Sequence, residues 1–130
     1  MRNSNHFGIA GFYAMMALEH KMIGVCFTNS EALVAPSFGR DRMIGTNPIA
    51  VAVPALNRPP FVLDMATSIK ALGQVLLRKT QGKSIPLGWG MDKQGNPTTV
   101  PQEVHDGGAL FPLGGGMNRC PDTRATVSPW

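Results

Sequence analysis

The chain has 130 residues, of which 43% are hydrophobic and 15% charged, with a formal net charge of +4. That is enough chain for one domain with a real core. The charged fraction lies below the ~25% of an average globular protein, which predicts that much of the surface faces other protein. The basic residues are scattered apart from Arg78, Lys79 and Lys83, and a single Tyr accompanies two Trp; this argues against nucleic-acid binding, which uses a basic track interleaved with stacking aromatics.

Residues 7–20 read as a helix, with Ile9, Phe12, Tyr13, Met16 and Ala17 at helical spacing. Its other face is also apolar at Ala10, Ala14 and Leu18, so it is expected under a larger structure or at a subunit contact. Met22 to Thr28 reads as a buried strand. Gly45-Thr46-Asn47-Pro48 reads as a turn, with Asn47 pushed toward extended geometry by the proline that follows. Ile49 to Val53 is a second strand, stopped by Pro54, and Phe61 to Asp64 a third. Ser68 is placed to cap a second helix running to Lys79, with Ile69, Leu72, Leu76 and Leu77 inward. Arg78 and Lys79 suit its C-terminal dipole, and Gly82 stops it. Residues 84–116 are rich in Gly and Pro and read as loop, with a surface turn at Asp92 to Pro97. The last fourteen residues, 117–130, carry no period and are expected to form a disordered tail.

The longest apolar stretch, Phe7 to Leu18, is too short to span a bilayer and carries Gly8 and Gly11. There is no secretory leader pattern, so no membrane partner is expected and the cytoplasm is the expected compartment. Cys26 and Cys120 lack metal-ligand spacing and read as reduced thiols, and no metal site is expected. The methionines, Met15 and Met16 among them, read as core filler. No glycine fingerprint follows a strand, which excludes a Rossmann dinucleotide site.

The stretch Asn3-Ser4-Asn5-His6-Phe7-Gly8 sets a histidine just before an apolar helix. By itself such a histidine is more often a surface or capping group. Yet six stretches occur together: residues 2–8, Gly45 to Ala50, Leu63 to Ser68, Ile85 to Trp89, Gly95 to Thr99 and Pro112 to Gly115. In that order and spacing the chain resembles the malate/L-lactate dehydrogenase-like oxidoreductases, a non-Rossmann family that includes ureidoglycolate and sulfolactate dehydrogenases and piperideine-2-carboxylate reductases. The resemblance covers residues 2 to about 116.

The resemblance implies a mixed α/β fold, a mainly antiparallel or mixed sheet flanked by helices. It implies that residues 1–116 form part of an NAD(P)-binding domain in an intertwined homodimer. It also implies a hydride transfer between NAD or NADP and a small 2-hydroxy acid or its 2-oxo product. His6 would then be the proton-transferring histidine. The chemistry agrees, since oxidising a hydroxy acid frees a hydroxyl proton and an imidazole, with an unperturbed pKa near ~6.5, is suited to take it. The cofactor carries the hydride while protein supplies orientation and the base.

The same resemblance places cofactor contacts at Ser30 and at Asp64, Met65 and Ala66. Ser30 reads equally well as a loop hydroxyl making its own turn. Asp64 is suited to accept from a ribose hydroxyl, and the strand-to-helix junction after it exposes backbone N–H groups. Gly114 to Gly116 reads either as a close approach to a ligand or as a hinge. His20 and His105 read as solvent-facing.

The sequence also departs from the family. The stretch that holds the substrate carboxylate has no counterpart here, and a 2-hydroxy acid needs a cation for it; Arg2 lies near His6 but has no motif that assigns it the task. Val100 replaces an acidic residue, and residues 117–130 diverge in a way that suggests an altered reading frame, splice or gene boundary. The match covers a middle portion of the family's length. Losing substrate positioning removes on the order of 7–11 kcal/mol of catalytic advantage in favourable cases, so the 130-residue chain by itself is expected to show little or no turnover. The alternative expectation is a non-catalytic truncated product that binds at most cofactor or a full-length subunit.

Overall fold

The structure is a computed structural model that describes residues 5–115. Arg2, Asn3 and Ser4 of the opening motif, Gly116, Cys120 and the whole segment 117–130 lie outside the described residues. The described residues divide into two units. The first takes residues up to Asn29 together with Asn47–Ala66; the second takes Ser30–Thr46 and the residues from Thr67 onward.

In the first unit, α1 (Ala10–Met15) runs into a 3-10 segment, Met16–His20. Three strands follow in an antiparallel sheet of order β1-β2-β3: β1 (Gly24–Phe27), β2 (Ile49–Val53) and β3 (Phe61–Met65). Pro48 and Pro54 bracket β2, as the sequence predicted. Alternation places Ala50 and Ala52 on one face, and they form the core of this unit with Ala10 and Ala14 of α1. Phe7, Leu18 and Cys26 pack around them, and Cys26 makes no disulfide among the described residues.

The helix was expected over residues 7–20, apolar on both faces and covered on most sides. The structure shortens it and buries the small-residue side alone. Ile9, Phe12, Met15 and Met16 are exposed, Phe12 at 60%, so Met15 and Met16 are not core filler. Small residues explain the choice. A Cβ on Gly24 would stand against the carbonyl of Ala14, its carbon only 2.8 Å away. A helix this close to a sheet can present only alanines to it.

The second unit holds α2 (Leu72–Thr80), a short strand pair β4 (Gly90–Met91) and β5 (Ala109–Leu110), and α3 (Pro101–His105). One core joins Val34, Val75, Ile85, Val104 and Leu110, and a second joins Ala35, Met91, Ala109 and Phe111. The expected cap of α2 is corrected. Ser68 is buried and its hydroxyl donates to the Lys70 carbonyl, while Ala71, extended in φ/ψ, occupies the cap position. Inside α2 it is Val75 that is fully buried, and Leu77 is half exposed. The expected end holds: Gly82 takes φ +62° and its N–H reaches Lys79.

Two further expectations change. Asn47 takes φ +33° instead of extended geometry. The stretch 84–116 is not all loop, since Pro101 opens α3 at a position where its missing N–H costs nothing. The turn at residues 92–97 forms as predicted, with Asp92 accepting from the N–H groups of Gln94 (2.9 Å) and Asn96 (2.8 Å). Among the described residues, no helix is long and apolar enough to cross a membrane.

Candidate functional site

His6 is exposed and lies four residues before α1. Its ring is not free to spin. The N–H of Gly8 donates to its Nδ1 at 3.0 Å. A nitrogen that accepts must keep its lone pair, so in the neutral ring the proton sits on Nε2. The next residue, Phe7, is tied to the helix twice: Tyr13 donates its hydroxyl to the Phe7 carbonyl at 2.9 Å, and the two rings stack with centroids 5.2 Å apart.

Asp64 sits near the end of β3, opposite Ala50 and therefore on the face that α1 covers. Its Oδ2 accepts the N–H of Gly11 at 2.7 Å. Met65, half-buried, pairs with Ile49 in the last rung of the ladder, and Ala66 lies past it. The structure thus gathers the His6 segment, the first turn of α1 and the Asp64-Met65-Ala66 stretch within one unit. Gly11 was not singled out from the sequence. A Cβ there would stand 2.8 Å from Asp64 Oδ2, a requirement no local pattern announces, because its cause is 53 residues away.

Ser30 belongs to the second unit and is exposed. Its Oγ accepts the N–H of Thr46 at 2.9 Å and lies 3.2 Å from the Thr46 hydroxyl. It therefore fastens its loop to the Gly45-Thr46-Asn47-Pro48 turn. Thr46 in turn receives the N–H of Thr67 on its carbonyl, at 2.8 Å. Gly115 donates its N–H to the Pro112 carbonyl, and a Cβ there would meet the Pro112 ring and the Ser37 hydroxyl. His20 is exposed, as is His105, whose ring meets Asp106 at 2.6 Å. Among the described residues, no three His, Cys, Asp or Glu side chains group as metal ligands do.

An antiparallel sheet with a helix laid on one face, and a histidine leading into that helix, defines a mixed α/β domain unlike the parallel nucleotide-binding folds. Comparison with known proteins places it further. The chain belongs to the malate/L-lactate dehydrogenase family, whose model matches residues 1–118. It is 55% identical over 114 residues to a malate dehydrogenase of Pyrococcus horikoshii, a match covering 88% of this chain and 31% of that protein. It is 45% identical over 114 residues to an L-sulfolactate dehydrogenase of Methanocaldococcus jannaschii, covering 88% of this chain and 33% of that protein. Among solved structures, a dehydrogenase from Sinorhizobium meliloti superposes with a TM-score of 0.80 at 36% identity, covering 96% of this chain and 42% of the other. The chain therefore spans about a third of the length of the curated relatives it matches.

Proposed function

We propose that this chain is part of an NAD(P)-dependent dehydrogenase of small 2-hydroxy acids. His6 moves the hydroxyl proton, and residues 1–116 contribute to the cofactor domain, with Asp64, Met65, Ala66 and Ser30 facing the cofactor. The observation that carries the reading is the Asp64–Gly11 hydrogen bond. It holds the end of β3 beside the helix that follows His6, so a proton-transfer group and a cofactor-binding stretch arise from one packed element pair. Family membership and the names of the relatives supply the substrate class: malate and sulfolactate are both 2-hydroxy acids with a second anionic group.

The residues present fit a nicotinamide dinucleotide by their chemistry. Asp64 is an exposed carboxylate that accepts hydrogen bonds, and Ala66 offers backbone groups past the last ladder rung. Such groups suit ribose hydroxyls and amide or phosphate oxygens. When bound, the nicotinamide ring takes the hydride from the carbon bearing the hydroxyl. The protein's own part is to hold that carbon in place and to accept the proton at the His6 imidazole. The full protein is expected to act as a cytoplasmic homodimer with no metal.

The experiment is made in the protein that carries this chain. His6→Gln should lower kcat by roughly 10²–10⁴-fold and leave the dissociation constant of the reduced cofactor, followed by its fluorescence, within about twofold. A variant keeping more than about a tenth of the wild-type kcat would remove His6 from the mechanism. Coverage of a third of the relatives' length favours a second reading for the 130 residues taken alone: they bind cofactor or a full-length subunit without turnover. Hydroxy-acid-dependent formation of reduced cofactor by this polypeptide, within about tenfold of a full-length relative, would overturn that second reading.

A further inference from the structure

The first turn of any α-helix leaves backbone N–H groups without partners inside the helix, and a polar side chain at the cap position normally takes one. In α1 that position holds Ile9, whose side chain has nothing to accept with and makes no cap bond. The cap comes from elsewhere. Asp64, 53 residues later, accepts the N–H of Gly11, the second residue of the helix, at 2.7 Å. This is the N–H that an ordinary capping side chain would take. The glycine is part of the device, because a Cβ at residue 11 would press on Oδ2 from 2.8 Å and on the Asp64 Cβ from 3.2 Å.

The fixed turn has a consequence two residues upstream of its start. Gly8 is exposed, takes φ +86° and aims its N–H at His6 Nδ1. That N–H finds the ring only if the segment between Gly8 and Gly11 keeps its path. Phe7 is fastened to the same helix by the Tyr13 hydroxyl and ring. The path from strand to imidazole thus runs Asp64, Gly11, the first turn of α1, Gly8, His6.

We propose that Asp64 is a positioning residue for His6: by capping α1 from β3 it holds the Gly8 amide on Nδ1, so that Nε2 carries the proton of the neutral ring. This rests on the reading of His6 as the proton-transfer group, and it gives Asp64 Oδ2 a task in addition to the cofactor contact proposed for that residue. Because Nε2 already carries the proton of the neutral ring, the hydroxyl proton enters at Nδ1, the nitrogen that the Gly8 N–H covers at rest, so each loading of the imidazole must release the Gly8 amide. Backbone and proton are then linked at this one contact.

The test reads the linkage directly by NMR, without turnover. In the wild type the Gly8 amide resonance should move upfield when the His6 ring is protonated and its acceptor is lost. In Asp64→Ala, exchange of the Gly11 amide should accelerate by roughly two- to thirtyfold, the range set by loss of a helix cap. The pH-dependent excursion of Gly8 should collapse in the same variant. Asp64→Asn keeps an acceptor oxygen and should restore both. Gly11→Ala should reproduce the loss with Asp64 intact, and the double variant Gly11→Ala/Asp64→Ala should be no worse than either, because both break one contact. The proposal is overturned if Asp64→Ala leaves the Gly8 titration unchanged. It is equally overturned if that variant weakens cofactor binding about tenfold while Gly11 exchange stays as in the wild type. These results are independent of whether His6→Gln retains kcat, so failure of the dehydrogenase reading and failure of the positioning role remain distinguishable.

Discussion

Single atoms decide several features of this chain, and they do so through distance. Gly24 is where β1 meets α1. A methyl group there would meet the Ala14 carbonyl and stand 3.0 Å from the Ala17 Cβ. Ala14 belongs to α1 and Ala17 to the 3-10 segment that continues it, so both must lift from the sheet. Gly24→Ala is expected to cost about 1–3 kcal/mol, the usual penalty of overpacking, seen as a lower urea midpoint with an unchanged slope. Asp92 shows the opposite kind of control, by hydrogen bonds. The backbone N–H of Asn96 above all, then the Asn96 side chain and the Gln94 N–H, hold its carboxyl below the ordinary 3.8. A depressed folded-state pKa stabilises the turn at every pH above the unfolded value and loses that effect as pH falls through the folded one. The Asp92 carboxyl is therefore expected to titrate below 3.8, and the Gln94 and Asn96 amides to keep their protection until that lower pH. An Asp92→Asn variant should show no such transition, as carboxyl and amide NMR titrations would record. The sequence announced Asp92 by its turn chemistry; it gave no sign of Gly24, whose constraint lies in another element.

Elements divide in the same way between those that carry their own signals and those that borrow stability. Strand β2 stands where Ile49 to Val53, bracketed by two prolines, predicted it, because composition and stops are both local. Helix α1 was legible as a helix but not in its buried face. Its large apolar stripe outweighed its alanines by any count of hydrophobicity, and the decision was made by the small residues of the sheet opposite. Helix α3 was missed because five residues are too few to show a period, and its end is held from afar. Arg42 donates to the carbonyls of Gly108 (2.6 Å), Val104 (2.9 Å) and His105 (2.9 Å). A guanidinium fork is suited to gather carbonyls that a helix end leaves unpaired, and its charge complements the C-terminal dipole. Arg42→Ala is expected to lose about 1.5–3 kcal/mol, the range for hydrogen bonds to a charged group. Amides of residues 104–108 should then exchange faster than those of β4. Arg42→Lys should recover only part of the loss, since a lysine cannot span three acceptors from one planar head.

At the scale of the whole chain, the apolar surface left open is the feature that composition foreshadowed and packing now locates. The register of the three-stranded sheet lines up Val25, Val51 and Leu63 in one row and Phe27, Ile49 and Met65 in the next, all on the face away from α1. Val25 is 58% exposed and Phe27 74%. Contiguous apolar surface of this kind, on a sheet whose outer strands pair with no further strand among the described residues, drives association, and the low charged fraction supplies few residues to oppose it. The 130-residue polypeptide is therefore expected to self-associate, with a mass by sedimentation velocity that rises with concentration. Replacing Val25 and Phe27 together by lysine puts charge on the open face of β1 and leaves the alanine face untouched. That variant should sediment as a monomer at concentrations where the wild type does not, with the same far-ultraviolet circular dichroism. If the variant associates as the wild type does, the β1 face is not the contact. If its dichroism is lost, Val25 and Phe27 contribute to folding and not only to association. Edge strands are where charge is tolerated at least cost, and β1 lies at the edge of the sheet order, so retention of the fold with loss of association is the outcome that the geometry supports.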